Sequence, residues 1–424
     1  MNAIGHYRII FSVFINGGYG DIRASVNLIE IFKKHVPVNQ IALSLSKDKE
    51  VFLSVFKEKL KDIKIIHEDD KQAVDAFNPT LVLGFNHIGP GSPLFEREPK
   101  IPSLIFEEYG NDPHDPDQYL QSNFFREFSL GINTKENPDT ARYGLGIFIQ
   151  DDLVAYYKDK RNENAHFRLV ENLPKLPSKL LSAVTDDQTA EEFSQKNSLY
   201  FSYLNGHEKK QYKRAFIGAA ILLNEDKRDL VVVFPGGPGF LVPQTLKETH
   251  LLSKQMVSFL VEHGFTHCEF RYSRSLTYDF QKQLLPLTGN KTKCLRKLTI
   301  VSSPLVHEDF ILLLKAAEKE VILTGDESIS EGLALGKKTF YECLSHKNRF
   351  STTLSDLINQ ICQTDVTFRY AYITTKEKKL AERIVWLRDH FKKIAPKWDQ
   401  FIQEVITNQN CEPKILESVA KFLE

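Results

Sequence analysis

The sequence has few cysteines, no excess charge and no long apolar run. Its five cysteines are an odd number without CxxC spacing, which argues against a disulfide framework or a zinc site. Lys+Arg and Asp+Glu both count 55, whereas nucleic-acid binders usually carry a basic excess. No apolar run reaches the roughly 18 residues of a membrane span. We therefore predict no nucleic-acid partner and no transmembrane segment.

The N-terminal apolar run Tyr7–Ile15 lacks a basic leader and a small-residue cleavage site, so a secretory signal is not indicated. The reduced thiols and this missing signal predict a cytoplasmic protein, or one delivered into a host cell if the chain is a bacterial effector. At 424 residues the chain is too long for one typical core, so two domains are expected.

Strand-like and helix-like segments alternate twice along the chain, which predicts parallel sheets flanked by helices. The first series has strands at Tyr7–Ile15, Ile41–Ser46, Ile63–His67, Leu81–Phe85 and Ile101–Phe106. The second has strands at Ser198–Leu204, Asp229–Phe234, Cys268–Tyr272, Lys297–Val301, Glu320–Thr324 and Lys338–Glu342. Helices dominate after about Phe350. We predict an α/β protein with two facing Rossmann-like domains, an interdomain cleft and a C-terminal helical tail.

The predicted boundaries are an N-terminal domain at 1–185, a second domain at 195–350 and bracing helices at 351–424. The proline-containing segment Pro174–Gln188 is the candidate linker. Ligands of open α/β sheets bind beyond the carboxyl ends of the strands. Strand-to-helix junctions in each half are therefore the candidate sites.

The first junction is FINGGYGDIRAS, where three glycines and Asp21 separate a strand from a helix. Its spacing does not fit the dinucleotide motif G-x-G-x-x-G. The second is VILTGDESISEGLALGKKTFYE, where Gly325 makes the turn and Ser328, Ser330 and Glu331 open a helix. Helix N-termini suit phosphate, and Glu331 could accept ribose hydroxyls. A plain β–α–β unit with capping residues accounts for the same pattern.

The second junction resembles the nucleotide-sugar signature of GT-B glycosyltransferases, S-x-x-E-A-L-A-x-G-x-P, with Lys338 where proline is usual. The first resembles the glycine loop of the heptosyltransferase branch. The order of four motifs is similar to that of the protein-arginine rhamnosyltransferases that modify elongation factor P: Gly18–Asp21, Glu108-Tyr109, Ser198–Tyr203 and Thr324–Ser328. Gly17 replaces an aspartate of that family and Thr324 an arginine, so the sugar and the acceptor stay open.

The resemblance implies a GT-B fold and sugar transfer from a nucleotide-diphosphate donor to a protein side chain or glycan, without cofactor or metal. Asp21 is the candidate catalytic carboxylate, although it could instead cap the helix. The donor-side candidates are Arg271, Arg274, Gly325, Asp326, Glu327, Ser328, Ser330, Glu331 and Tyr203. The acceptor-side candidates are Gly17, Gly18, Tyr19, Gly20 and Glu108.

Several candidates also have plain structural explanations. Arg271 and Arg274 could clamp phosphates or could be surface arginines. Tyr203 could stack on a nucleobase or pack in the core. Asp115-Pro116-Asp117 matches a metal-binding D-x-D, but Asp-Pro pairs usually form turns. Two further hypotheses for the whole chain are a catalytically silent relative that acts as a scaffold and a sugar-nucleotide epimerase.

Overall fold

The computed structural model describes residues 4–13, 20–45, 53, 56–85, 94, 100–107, 109, 125–132, 144–204, 209–236, 245–287, 296–343, 347–364 and 379–424. The chain divides into two compact units. Unit 1 comprises Met1–Gln150, Ser345–Leu357 and Gln403–Glu424, and unit 2 comprises Asp151–Leu344 and Ile358–Ile402.

Unit 1 contains a six-stranded parallel sheet. Its strands are β1 (Ile9–Val13), β2 (Ile41–Leu45), β3 (Lys64–His67), β4 (Leu81–Phe85), β5 (Ser103–Glu107) and β6 (Phe125–Ser129). They lie in the order β3-β2-β1-β4-β5-β6. Every residue of β1, β2 and β4 is buried, which is typical of parallel strands covered on both faces.

Unit 2 contains a seven-stranded sheet. Its strands are β7 (Asn197–Ser202), β8 (Asp229–Gly236), β9 (Phe265–Tyr272), β10 (Gln281–Pro286), β11 (Arg296–Pro304), β12 (Glu320–Leu323) and β13 (Lys338–Tyr341). The order is β10-β9-β11-β8-β7-β12-β13, and only β10 runs antiparallel to its neighbour. The parallel strands therefore begin along one edge of the sheet, the amino edge, and end along the other, the carboxyl edge.

The helices complete the α/β architecture that the alternation predicts. They are α1 (Gly20–Lys33), α2 (Lys57–Leu60), α3 (Lys71–Phe77), α4 (Asp151–Lys160), α5 (Ala165–Asn172), α6 (Ser178–Thr185), α7 (Ala190–Lys196), α8 (Lys209–Leu223), α9 (Leu246–Thr249), α10 (Lys254–Glu262), α11 (His307–Ala316), α12 (Asp326–Ala334), α13 (Asn348–Cys362), α14 (Leu380–Ile394), α15 (Trp398–Asn408) and α16 (Glu412–Leu423). Among these described helices, none is both long and apolar enough to cross a bilayer.

The compact units divide the chain at residue 150, earlier than the predicted boundary at 185. Helices α4 to α7 belong to unit 2. The candidate linker Pro174–Gln188 contains α6, whose Leu180 and Val184 are buried. That linker prediction is wrong, because the segment forms a helix with buried residues inside unit 2. Pro177 directly precedes this helix, where proline removes no internal hydrogen bond and therefore does not interrupt it. The C-terminal helices are present, although Ile358–Ile402 belong to unit 2 and Gln403–Glu424 to unit 1.

One glycine ties α12 into the packing of unit 2. Gly336, which follows α12, has φ +67°, and a Cβ there would lie 2.3 Å from the Tyr157 ring. The Tyr157 hydroxyl donates to Asp399 Oδ1 at 2.9 Å, and Trp398 Nε1 donates to the Gly336 carbonyl at 3.2 Å. The position therefore requires glycine for its backbone conformation and for the close approach of the ring.

Candidate functional site

The turn between β12 and α12 lies at the carboxyl edge of the seven-stranded sheet. Thr324 Oγ1 donates to the Glu342 carbonyl at 3.2 Å, which joins the ends of two neighbouring strands. Gly325 then has φ +80° and ψ 153°, a conformation that residues with a Cβ rarely adopt. A Cβ at Gly325 would meet no described atom within 4 Å. The turn therefore combines a glycine-requiring backbone with open space beside it.

Helix α12 is buried along its whole length. A Cβ at Gly332 would lie 2.5 Å from Leu323 Cδ1, so the glycine lets the helix pack closely on its own strand. Ser330 Oγ donates to the Asp326 carbonyl at 2.9 Å. The hydroxyl proton of Ser330 is therefore engaged inside the helix, and its role in donor binding stays a prediction.

Ser328 lies in the first turn of α12, and its side chain behaves differently from that of Ser330. The residue is 3% exposed, yet its hydroxyl forms no hydrogen bond to another described residue and is not fully enclosed. Backbone N–H groups at a helix N-terminus lack intrahelical partners and attract anions. Ser328 thus adds an available hydroxyl to the place where these donors converge.

Two acidic residues share that first turn. Asp326 is 9% exposed and Glu327 is 4% exposed. Carboxylates near a helix N-terminus are stabilised by the helix dipole. Contact of Asp326 and Glu327 with the sugar donor stays a prediction.

Glu331 joins α12 to the start of α11. Its Oε1 lies 2.8 Å from His307 Nε2, and the two side chains are 0% and 6% exposed. Because His307 is the first residue of α11 and Glu331 is the sixth of α12, the pair connects the first turn of one helix to the second turn of the other. Glu331 had been predicted as a ribose acceptor, and in this structure its carboxylate engages histidine instead. The ribose role stays a prediction.

A second hydrogen-bonded pair at the start of α11 was missed by the sequence analysis. The Tyr278 hydroxyl donates to Asp309 Oδ2 and accepts from the Val306 amide at 3.3 Å. Burial raises the pKa of Asp309, although the bond from Tyr278 opposes the rise. Burial also raises the pKa of Tyr278. In the sequence, only the aspartate in the first turn of α11 hinted at this pair. Tyr278 lies 28 residues before Val306, so no local pattern connects the two.

Tyr203 lies just beyond the end of β7. Its amide donates to the Ile322 carbonyl at 3.0 Å, and its half-buried ring contacts Phe310 edge-on at a centroid distance of 5.8 Å. The structure therefore brings Tyr203, α11 and α12 together at the carboxyl edge. Stacking on a nucleobase stays a prediction for this ring.

Arg271 does not belong to that group. It is 0% exposed, and its guanidinium donates to both Glu269 oxygens at 3.0 and 2.9 Å and to the Ala183 carbonyl at 2.7 Å. A further contact joins it to Asp186 at 2.8 Å. The donors of Arg271 are therefore engaged in a buried charge network, and its role as a phosphate clamp stays a prediction. Arg274, in the turn after β9, is exposed and stays a candidate.

Other candidates fall outside the described residues. They are Gly17, Gly18, Tyr19, Glu108 and the Asp115–Asp117 motif. Gly20 and Asp21 begin α1, so Asp21 is the second helical residue and not the residue before the helix. Its catalytic role stays a prediction. Within the described residues, His, Cys, Asp and Glu form no group of three or more that could hold a metal ion.

Three solved structures are similar to this chain over nearly its whole length. A glycosyltransferase from Rickettsia africae ESF-5 has a TM-score of 0.50 at 13% identity, covering 99% of both chains. A UDP-GlcNAc 2-epimerase from Neisseria meningitidis has 0.47 at 11% identity, covering 97% of this chain and 99% of that one. A glycosyl transferase family 9 protein from Veillonella parvula has 0.40 at 10%, covering 95% and 100%.

No family model matches the sequence, and no curated protein is significantly similar to it. The Rickettsia structure shares its fold with this chain over nearly the full length of both. The chain therefore has the α/β GT-B fold, as the sequence motifs predicted. At these identities the similarity defines the fold alone.

Proposed function

We propose that the chain is a glycosyltransferase that moves a sugar from a nucleotide-diphosphate donor to a protein side chain or a glycan, without a metal ion. The observation that carries the proposal is the available Ser328 hydroxyl in the first turn of α12, beside the open turn at Gly325. Amides at a helix N-terminus and a nearby hydroxyl together suit a phosphate group. The carboxyl edge of an α/β sheet is also where such ligands bind.

The donor would place its diphosphate at the start of α12 and its nucleoside toward the start of α11. In the transfer, the acceptor atom forms a bond to the anomeric carbon while the bond from that carbon to the phosphate oxygen breaks. The nucleoside diphosphate leaves with the electron pair, and a carboxylate takes the acceptor proton. Asp21 is the proposed base. The resemblance to protein-arginine rhamnosyltransferases makes arginine one candidate acceptor.

Calorimetric titration of the full chain with UDP, GDP, CDP and dTDP tests the donor site. We expect one of them to bind and Ser328→Ala to weaken it roughly tenfold or more, since a hydrogen bond to a charged group contributes about 1.5–3 kcal/mol. Ser330→Ala is the matched control, because the Ser330 hydroxyl bonds inside the helix. If no nucleotide binds, or if both variants weaken binding equally, the proposed donor site is wrong.

A second candidate function is that of a catalytically silent scaffold. It is favoured by two predicted donor contacts that are engaged elsewhere, Arg271 with Glu269 and Glu331 with His307. Donor hydrolysis and transfer assays discriminate the two functions. The enzyme hypothesis expects Asp21→Asn to slow turnover by roughly 10²–10⁴-fold. Nucleotide binding without any turnover of a matching donor would favour the scaffold.

A further inference from the structure

Unit 2 contains a cavity of about 760 Å³ at the amino edge of its sheet, away from the strand ends that form the candidate donor site. We name it the amino-edge pocket. Its lining includes Ser198, Tyr200, Arg228, Glu318, Glu320 and Lys338, from the starts of four strands and the segments before them. Small-molecule sites are concave and of about 300–1,000 Å³. The pocket is therefore large enough for a ligand of one or two sugar rings.

Most charges that line the pocket are paired within the protein. Glu318 Oε2 lies 3.3 Å from Arg168 Nη2, and Glu318 Oε1 lies 3.8 Å from Arg228 Nη2. Glu320 Oε1 lies 2.9 Å from Lys338 Nζ. An ionic ligand would have to compete with these partners and leave a desolvated charge behind. The pairing therefore favours a ligand without net charge.

Tyr200 is a buried polar group in the lining of this pocket, and its hydroxyl lacks a partner among the described residues. The residue is 3% exposed, its ring packs edge-on against Phe216, and its hydroxyl makes no hydrogen bond to another described residue. The hydroxyl oxygen is not fully enclosed, and Tyr200 is part of the pocket lining. Burial, together with Glu318 and Glu320, raises the pKa of Tyr200 well above its ordinary value. Its hydroxyl is therefore neutral and able to donate as well as accept.

The surroundings of Tyr200 hold these groups in place. Ser198 Oγ donates to Asn224 Oδ1 at 3.3 Å, and Asn224 Nδ2 donates to the Arg228 carbonyl at 2.9 Å. Arg228 Nη1 in turn donates to the Ser194 carbonyl at 3.0 Å. Phe391 contributes apolar surface to the same cavity. The pocket thus offers acceptors, donors and an apolar wall on a hydrogen-bonded frame.

We propose that the amino-edge pocket binds a small neutral polyhydroxylated ligand, of the size of a mono- or disaccharide. Hydroxyl groups can donate to the carboxylates and accept from Arg228, Lys338 or Tyr200 without separating the ion pairs, because each hydroxyl is both donor and acceptor. The site is independent of the proposed sugar-transfer function, since it shares no residue with the carboxyl edge.

Saturation-transfer NMR of the intact chain tests the pocket with glucose, galactose, N-acetylglucosamine, rhamnose, sucrose and maltose. A thermal shift is unsuitable, since sugars stabilise folded proteins generally by exclusion from their surface. We expect at least one saccharide to bind and Tyr200→Phe to weaken it roughly fivefold to tenfold. Tyr200→Phe should fold normally because the hydroxyl has no described partner. Tyr272→Phe, which removes a hydroxyl bonded to Gln281, is the matched control.

Three results would overturn the proposal. The first is that no saccharide binds. The second is that a saccharide binds equally well to the wild type and to Tyr200→Phe. The third is that phosphate or putrescine binds in a Tyr200-dependent manner while the sugars do not. Nucleotide titrations of Ser328→Ala and Tyr200→Phe separate the two sites. If the donor-site proposal alone is wrong, the wild-type protein binds no nucleotide but still binds the saccharide.

Discussion

The two edges of the seven-stranded sheet accommodate buried acidic groups with different partners. At the carboxyl edge, Asp326 and Glu327 lie in the first turn of α12, and Glu331 contacts His307. At the amino edge, Glu318 and Glu320 are paired with long cationic side chains. A helix N-terminus and a histidine accompany the acidic groups of the carboxyl edge, whereas arginine and lysine pair with the acidic groups that line the cavity at the amino edge. The same sheet thus carries one edge with a helix N-terminus suited to phosphate and another edge with an ion-paired cavity suited to a neutral ligand.

Arg271→Ala should cause the largest loss in the free energy of unfolding. The variant tests whether the buried cations of this sheet support the fold. Its removal leaves Glu269, whose side chain is 11% exposed, without the arginine that binds both oxygens. We expect a loss of about 4 kcal/mol in the free energy of unfolding, as for other broken buried pairs. Urea denaturation measures it. An unchanged free energy of unfolding together with weakened nucleotide binding would contradict this structural role and favour the phosphate-clamp hypothesis.

Gly336→Ala tests the packing where the chain returns to the amino edge. The new Cβ would approach the Tyr157 ring, which is held by its bond to Asp399, and the backbone has φ +67°. Overpacking and backbone strain together should lower the free energy of unfolding by about 3 kcal/mol. Guanidinium denaturation provides the check. A loss below about 1 kcal/mol would show that the Tyr157 ring moves aside freely.

His307→Leu removes the histidine from the carboxyl-edge pair. Glu331 would lose a hydrogen bond while its side chain stays buried, so we expect a loss of about 2 kcal/mol. Urea denaturation of the variant measures the loss. His307→Gln is the control, because glutamine can still donate a hydrogen bond and should recover part of the stability. Equal losses in both variants would indicate that shape, and not the hydrogen bond, matters at this position.

Gly325→Ala is the counterpart of Gly336→Ala at the opposite edge. Its φ is also positive, at +80°, but no described atom lies within 4 Å of the new Cβ. Only backbone strain is expected, with a loss of about 1–2 kcal/mol. Nucleotide titration of the same variant is informative as well, because the methyl group would enter the space proposed for the diphosphate. A loss as large as that of Gly336→Ala would contradict the contrast between open and crowded glycines.

The smallest effect concerns acid stability. Burial alone would raise the pKa of Asp186, but the charges of Arg271 and Lys297 lower it from 3.8 to about 2. A lowered folded-state pKa stabilises the protein above the unfolded value, and this stabilisation is lost as the pH falls from about 4 through about 2. Asp186→Asn should therefore flatten the stability profile in that range. A profile parallel to that of the wild type, measured by urea denaturation at each pH, would contradict the assigned partners.

Local signals were sufficient for much of the fold. The turn Thr324–Gly325 and the helix after it were predicted within two residues, because an apolar strand, a glycine and a capping segment adjoin in the sequence. Helical periodicity in the sequence also predicts helices at Lys209–Leu223 and Trp398–Asn408, and the structure has both helices with these bounds.

Long-range pairing accounts for what the sequence could not predict. Strand β10 has six exposed residues and no alternating pattern, and it exists through its antiparallel pairing with β9. Arg271 was assigned by its position near a strand end, which does not reveal the face on which a side chain lies. Glu269, two residues earlier and therefore on the same face, was the available clue to its partner. Tyr278 and Asp309 are 31 residues apart in the sequence, so their hydrogen bond depends on the tertiary fold and has no local sequence pattern.

Hydrogen–deuterium exchange of the intact chain with UDP, GDP, CDP or dTDP tests the central claim most directly. That claim assigns the nucleotide to the carboxyl edge of the seven-stranded sheet. We predict slower exchange in peptides containing Thr324–Glu331 when the right nucleotide binds, and unchanged exchange at Leu223–Arg228 beside the amino-edge pocket. Nucleotide binding that slows exchange at Leu223–Arg228 and leaves Thr324–Glu331 unaffected would contradict the account.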